Sequence, residues 1–172
     1  GEIVNGDATA MVRFLDLGSA KPSLAERNEV RHHLIDVTDP DELVSVSDYQ
    51  EMAYGAIDAI IARGGVPFLV GGSGLFMRSV MEGYCFPPTA PDAHFREVLE
   101  ADAAARGGEW LHGKLAGIDP VAAARIHPNN IRRMVRALEV FENTGKPISY
   151  YWETREPRYE CVTVGLERDR EE

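Results

Sequence analysis

The sequence predicts an α/β fold, a parallel sheet core interrupted by an all-helical insertion. Three observations predict it. The apolar run Val66 to Val70 passes straight into Gly71-Gly72-Ser73-Gly74 and a following helix, the order expected of a parallel strand buried on both faces. Strand and helix patterns alternate around that run. From Phe86 to Lys146, by contrast, no strand signal occurs and only helical periodicity remains.

Glu2-Ile3-Val4 reads as a strand running into Asn5-Gly6-Asp7, and because the chain starts without methionine on a core strand, a preceding element of the same sheet is expected to be missing. Ser47 to Ala62 reads as a helix: Tyr49, Met52, Ala53, Ala56, Ile57 and Ile60 share one stripe, with Ser47 and Gln50 as a capping box and Gly64 as C-cap. The strand over 66–70 and a helix from Leu75 follow. Pro87, Pro88 and Pro91 open the insertion, where helices are predicted over Phe95–Ala105, Glu109–Ala116, Pro120–Ile126 and Asn130–Asn143. The last has Ile131, Met134, Val135, Leu138 and Phe141 on one face, Asn129 or Asn130 as N-cap and Gly145 as C-cap. Cys161 to Leu166 reads as a further core strand, which would make Cys161 inert. Arg168 to Glu172 resembles the first turn of a helix cut short. The predicted division is therefore 1–85 core, 86–146 insertion and 147–172 return to the core.

Composition bounds the partners. The 172 residues are 44% hydrophobic and 27% charged, which is globular composition and long enough for a core without disulfides or a structural metal. No apolar run approaches the ~18 residues of a membrane span, and nothing resembles a signal peptide. Cys85 and Cys161 lack metal-ligand spacing, so the simplest compartment is a reducing cytoplasm. A net charge of −10 argues against a nucleic-acid partner, yet Arg125 to Arg136 holds four arginines and no acid. Distant acids are screened beyond ~8 Å, so such a window can still contact phosphates.

Three constellations could carry chemistry. Glycines after a buried strand let backbone approach a ligand, and the Ser73 hydroxyl with the amides of a helix start suits phosphate or diphosphate; a plain strand-to-helix turn is the alternative. No Walker A motif occurs. Asp7 stands just past the first strand, followed by Arg13 and Asp16, where a carboxylate can take a proton or hold magnesium, or merely cap a turn. Arg132 and Arg136 share a helix side with Arg133 nearby, and no acid lies four residues before any of them. Such a pair calls for an anionic partner, either tertiary carboxylates or an RNA. His32-His33, adjacent in an extended segment, point to opposite faces and cannot chelate one ion together. The acidic stretch Asp36 to Glu42 reads as a solvated loop, and Trp110 and Trp152 as packing residues.

Five blocks taken together carry a resemblance: Glu2 to Asp7, Leu15-Asp16-Leu17-Gly18-Ser19-Ala20-Lys21-Pro22, His32-His33-Leu34-Ile35-Asp36, Val70-Gly71-Gly72-Ser73-Gly74-Leu75-Phe76 and Arg133 to Phe141. In order and spacing, over nearly the whole chain, they resemble the tRNA dimethylallyltransferase family. The resemblance implies a P-loop NTPase-like core and transfer of a dimethylallyl group from dimethylallyl diphosphate to the amine of the adenosine 3′ of the anticodon. It also implies Mg2+, a helical insertion holding the anticodon arm of tRNA, and a cytoplasmic monomer. By position it makes Asp7 the general base and Ser73 its neighbour near the diphosphate. Arg13, Gly71, Gly72 and Gly74 then fall among the substrate-binding positions, Arg132, Arg133 and Arg136 on tRNA and Arg170 on diphosphate. The family's Walker A loop would lie upstream of Glu2, so this chain alone is expected to bind the donor poorly and to be inactive. Ala8, Ala10, Val12 and Phe14 depart from the family pattern, as do Arg31 and Arg132. Alternatives are an adenylate prenyltransferase acting on a free nucleotide, a non-catalytic RNA-binding remnant, and a P-loop-like small-molecule kinase.

Overall fold

The computed structural model describes residues 1–167 and divides into two compact units, 1–83 with the segment from Pro157, and 84–156. The helical unit thus runs on through 147–156, past the expected boundary at Lys146, because the last helix of that stretch packs within it. Ser149 donates its backbone amide to Asp119 Oδ2 at 2.9 Å, and both residues are buried.

The first unit holds three parallel strands, β1 (Glu2–Asn5), β2 (His32–His33) and β3 (Pro67–Val70), in the order β2-β1-β3. Ile3 pairs with His32 and with Phe68. Two helices, α2 (Val46–Ala62) and α3 (Gly74–Met81), pack beside them, and α1 (Leu24–Glu29) lies in the preceding connection. Side chains alternate across a strand, and here the alternation decides the core. Val4 is buried with Tyr49, Ala53, Ile57, Ile60, Phe76 and Val80, with Leu69 packed against them. Tyr49 and Phe76 stack with ring centroids 4.2 Å apart. Phe68 and Val70 on the alternate face of β3 are 54% and 52% exposed. The expectation of a strand buried on both faces is therefore corrected: an uninterrupted apolar run places side chains on two faces, and among the described residues helices cover one.

The cap of α2 also differs from expectation. Ser45, not Ser47, is the N-cap: its Oγ accepts from the Asp48 amide while Asp48 returns a carboxylate to the Ser45 amide at 3.0 Å. An ionised side chain makes the stronger reciprocal bond, which selects this register over the amide of Gln50. Cys161 to Leu166 forms no strand. Val162 and Leu166 are 94% and 97% exposed and Cys161 is exposed, because alternating apolar residues become a strand only where a neighbouring edge offers hydrogen bonds. The Asp36 to Glu42 stretch is not simply solvated either. Asp36 takes 2.7 Å bonds from both Lys21 and Arg27, and the Lys21 side chain is 2% exposed. Asp36 and Leu34 hold φ of 56° and 61°, a costly left-handed backbone that this ion cluster and the sheet edge keep in place.

The second unit contains α4 (Ala93–Arg106), α5 (Gly108–Ile118), α6 (Pro120–Arg125), α7 (Ile131–Thr144) and α8 (Ile148–Glu153). The first four match the expected stretches; α8 adds to them. Leu99, Leu111, Leu115, Met134, Val135 and Leu138 form its core. In α7 the Asn130 side chain caps the start and Gly145 ends the helix at φ 69°, the left-handed conformation that favours glycine. Among the described residues no helix is long and apolar enough to cross a membrane.

Candidate active site

Parallel strands end on the same edge of a sheet, so the loops after β1 and β3 must be neighbours. Their contact is intimate. The Gly6 amide donates to Val70 O at 2.7 Å and the Ser73 amide to Gly6 O at 3.1 Å. Gly71 is required for this: a Cβ there would fall inside van der Waals contact of the carbonyl carbon, carbonyl oxygen and Cα of Gly6. A Cβ on Gly72 would meet only Asp7 Oδ2, at 3.2 Å. Gly71→Ala is accordingly expected to destabilise the protein by about 1–3 kcal/mol, the ordinary cost of overpacking, and Gly72→Ala by much less. Equal melting temperatures for the two variants would show that the turn is not packed as described.

The seam brings Asp7, Ser73, Gly71 and Gly72 together. Ser73 Oγ accepts from the Ala8 amide at 2.9 Å and makes no capping bond to α3, so its own proton remains to be donated. Gly74 is the first residue of α3, whose opening amides have no intrahelical partner. Asp7 Oδ1 accepts from the Thr9 amide at 2.8 Å and the Thr9 hydroxyl at 2.6 Å. The Thr9 hydroxyl, ahead of the backbone amides of Thr9, Ala10 and Gly72, holds the Asp7 carboxyl below its usual range against a smaller effect of burial. Asp7 is therefore an anion throughout the neutral range.

Local sequence pattern does not single out Asn5, yet Asn5 fixes this loop. Its side chain is buried, donates to Asp7 O and Leu34 O at 2.9 Å each and accepts from the Asp7 amide at 3.1 Å. The Tyr49 hydroxyl donates to Asn5 O at 3.0 Å. An amide side chain closing a buried strand was the available signal, since it needs partners there. Arg13 is tied to the loop after β2, its Nε donating to Asp36 O at 3.1 Å and its Nη1 pairing with Asp39 at 2.8 Å. The His32 and His33 rings take separate partners, Val30 O and Glu2 Oε2.

In the helical unit the three arginines of α7 separate. Arg132 and Arg133 are exposed and take part in no ion pair among the described residues. Arg136 pairs instead with Glu139 at 2.6 Å. Glu139 is fully buried and also binds Arg96 through two bonds of 2.8 Å, a residue that sequence reasoning missed. An acid falling among the apolar positions of α7, three residues after an arginine, was the signal. Arg170 lies outside the described residues.

The model of the IPP transferase family matches residues 11–172. A tRNA dimethylallyltransferase of Roseiflexus sp. (strain RS-1) is 51% identical over 166 residues, 96% of this chain and 54% of that protein. This chain belongs to the IPP transferase family. Within the family, the tRNA dimethylallyltransferase of Carboxydothermus hydrogenoformans is 46% identical over 173 residues, 99% of this chain and 56% of that protein. Among solved structures, the tRNA isopentenylpyrophosphate transferase of Bacillus halodurans is 46% identical with a TM-score of 0.51, over 86% of this chain and 48% of that one. A eukaryotic dimethylallyltransferase acting on tRNA gives a TM-score of 0.76 at 24% identity over 91% of this chain and 39% of that one, a likeness that shows the fold. The chain spans about half the length of the curated relatives it matches.

Proposed function

We propose that the protein carrying this chain transfers a dimethylallyl group from dimethylallyl diphosphate to the exocyclic amine of the adenosine 3′ of a tRNA anticodon. What supports this most, in a member of the IPP transferase family, is the seam between the loops after β1 and β3. It sets an ionised carboxylate beside a hydroxyl and a glycine turn. The adenine nitrogen attacks the allylic carbon, the carbon–oxygen bond to diphosphate breaks, and the amine proton passes to Asp7. The Ser73 hydroxyl and the first amides of α3 are donors suited to the departing anion. Magnesium, which the resemblance implies, meets no ready cage: among the described residues no three His, Cys, Asp or Glu side chains converge, and Asp7 already has one oxygen occupied by Thr9. Within this chain, Asp7 takes the proton and Ser73 with the first amides of α3 faces the departing anion.

Arg132 and Arg133, exposed and without acidic partners among the described residues, favour a polyanionic acceptor over a free nucleotide. Replacing both by glutamine is expected to weaken tRNA binding and flatten its salt dependence by ~1.4, at ~0.7 for each phosphate contact to a single strand. An unchanged slope would assign both to structure. The direct test is label transfer by the full-length protein from dimethylallyl diphosphate to an unmodified anticodon stem-loop. Label on adenylate alone would favour the free-nucleotide reading, and label on neither acceptor would overturn prenyl transfer.

A further inference from the structure

The helical unit contains a cavity of about 430 Å3 lined by Arg125, Ile126, Arg133, Arg136, Ile148 and Trp152. This volume lies within the range of small-ligand sites, roughly 300–1,000 Å3. Its chemistry is two-sided. Trp152 and Ile148 pack against the unit's core while also lining the cavity, and Ile126 is buried. They make part of its lining apolar and aromatic. Three arginines line it as well, and their pairing is uneven. Arg136 pairs with Glu139, an acid it shares with Arg96, whereas Arg125 and Arg133 have no ion pair among the described residues.

Arg125 sits 5.8 Å from the Trp152 ring centroid, at the loose end of the ~6 Å cation–π range. Elsewhere in the protein arginines approach aromatic rings more closely, Arg158 over Tyr54 at 4.1 Å and Arg106 over Trp110 at 4.7 Å. The indole of Trp152, half-buried against the core, is thus not closely capped by Arg125. An aromatic surface beside two cations without ion pairs matches a planar aromatic group joined to a phosphate, as in an unpaired nucleotide.

We propose that this cavity is a subsite for one unpaired nucleotide of the RNA substrate, its base against Trp152 and its phosphate between Arg125 and Arg133. The proposal rests on the reading that tRNA is the acceptor, and adds to the α7 arginines two residues outside that helix, Arg125 on α6 and Trp152 on α8. Base and phosphate make separable demands. Trp152→Leu keeps an apolar side chain on the core but removes the stacking surface. Arg125→Gln removes charge from an exposed position.

The test is binding of a fluorescent anticodon stem-loop to the full-length protein across a salt series. Trp152→Leu is expected to weaken binding about tenfold with the salt slope unchanged. Arg125→Gln is expected to weaken binding and flatten the slope by ~0.7. Stem-loops carrying one abasic site at each loop position in turn should include one on which Trp152→Leu no longer has an effect, because the base it would stack on is gone. Affinities within twofold of wild type for both variants would overturn the subsite. So would a Trp152→Leu defect that persists at every abasic position, which would make Trp152 a packing residue only. A wild-type protein that does not bind the stem-loop at all would overturn the acceptor reading itself, and the subsite with it.

Discussion

Replacing Asp7 by asparagine in the full-length protein is expected to lower the rate of the proposed dimethylallyl transfer by roughly 10²–10⁴-fold, the usual contribution of a positioned general base. Affinity for tRNA should stay within about twofold of wild type, since the variant removes a proton acceptor rather than a phosphate contact. Asparagine is the informative choice because Asp7 has a second task. Its Oδ1 gathers the amide and hydroxyl of Thr9, a local turn that an asparagine oxygen can also hold, whereas alanine would lose the turn and the base together. Asp7→Asn should therefore melt near the wild-type temperature, and Asp7→Ala below it. Because Thr9 and nearby amides hold the carboxyl below its ordinary value of 3.8, the base form is fully populated at neutral pH, and protonation of Asp7 should limit the rate only in acid, below the range of an ordinary aspartate. Retained transfer in Asp7→Asn, or a loss of tRNA affinity as large as the loss of rate, would reduce Asp7 to a turn-forming residue.

What was legible in the sequence was whatever local order dictates. Asp7, Gly71 and Ser73 could be placed together in advance because each follows a strand directly, and parallel strands deliver their ends to one edge. Helix α7 was legible from Asn130, Gly145 and its apolar period. Side-chain partners were not. Arg13 chose Asp39 and Arg136 chose Glu139, pairings over 26 and three residues that depend on tertiary packing or on an acid following rather than preceding its arginine. The segment from Cys161 shows the complementary limit: its alternation is that of a strand, but pairing is a property of the neighbour. Asn5 and Glu139 were overlooked for one reason. Each is a polar residue inside an apolar pattern, and such residues are buried only when fully partnered.

Glu139→Ala is expected to destabilise the helical unit by about 3–5 kcal/mol, because removing one member of a buried ion cluster strands the charges left behind. The cluster is closely satisfied. Glu139 Oε1 takes the Asp92 amide at 2.7 Å and Arg96 Nε at 2.8 Å, and Oε2 takes Arg96 Nη2 at 2.8 Å and Arg136 Nη1 at 2.6 Å. Burial alone would raise the carboxyl, but the bonds from Arg96 and Arg136, with the Asp92 amide, overcome it and bring the group from 4.5 to about 2. A carboxyl with a depressed native pKa contributes stability that is fully present above its unfolded value and lost as pH falls through the native one. The window here is pH 4.5 down to about 2, and at 1.36 kcal/mol for each pKa unit the amount is about 3 kcal/mol. Glu139→Gln should keep the shape, lose much of that stability at neutral pH, and flatten the acid limb of a stability-versus-pH curve. Arg136→Ala should follow the same pattern, lowering stability more than it changes the salt dependence of tRNA binding. A Glu139→Gln protein with wild-type stability at pH 7 and an unaltered acid limb would show that the cluster contributes nothing, and would return Arg136 to the set of residues available to RNA.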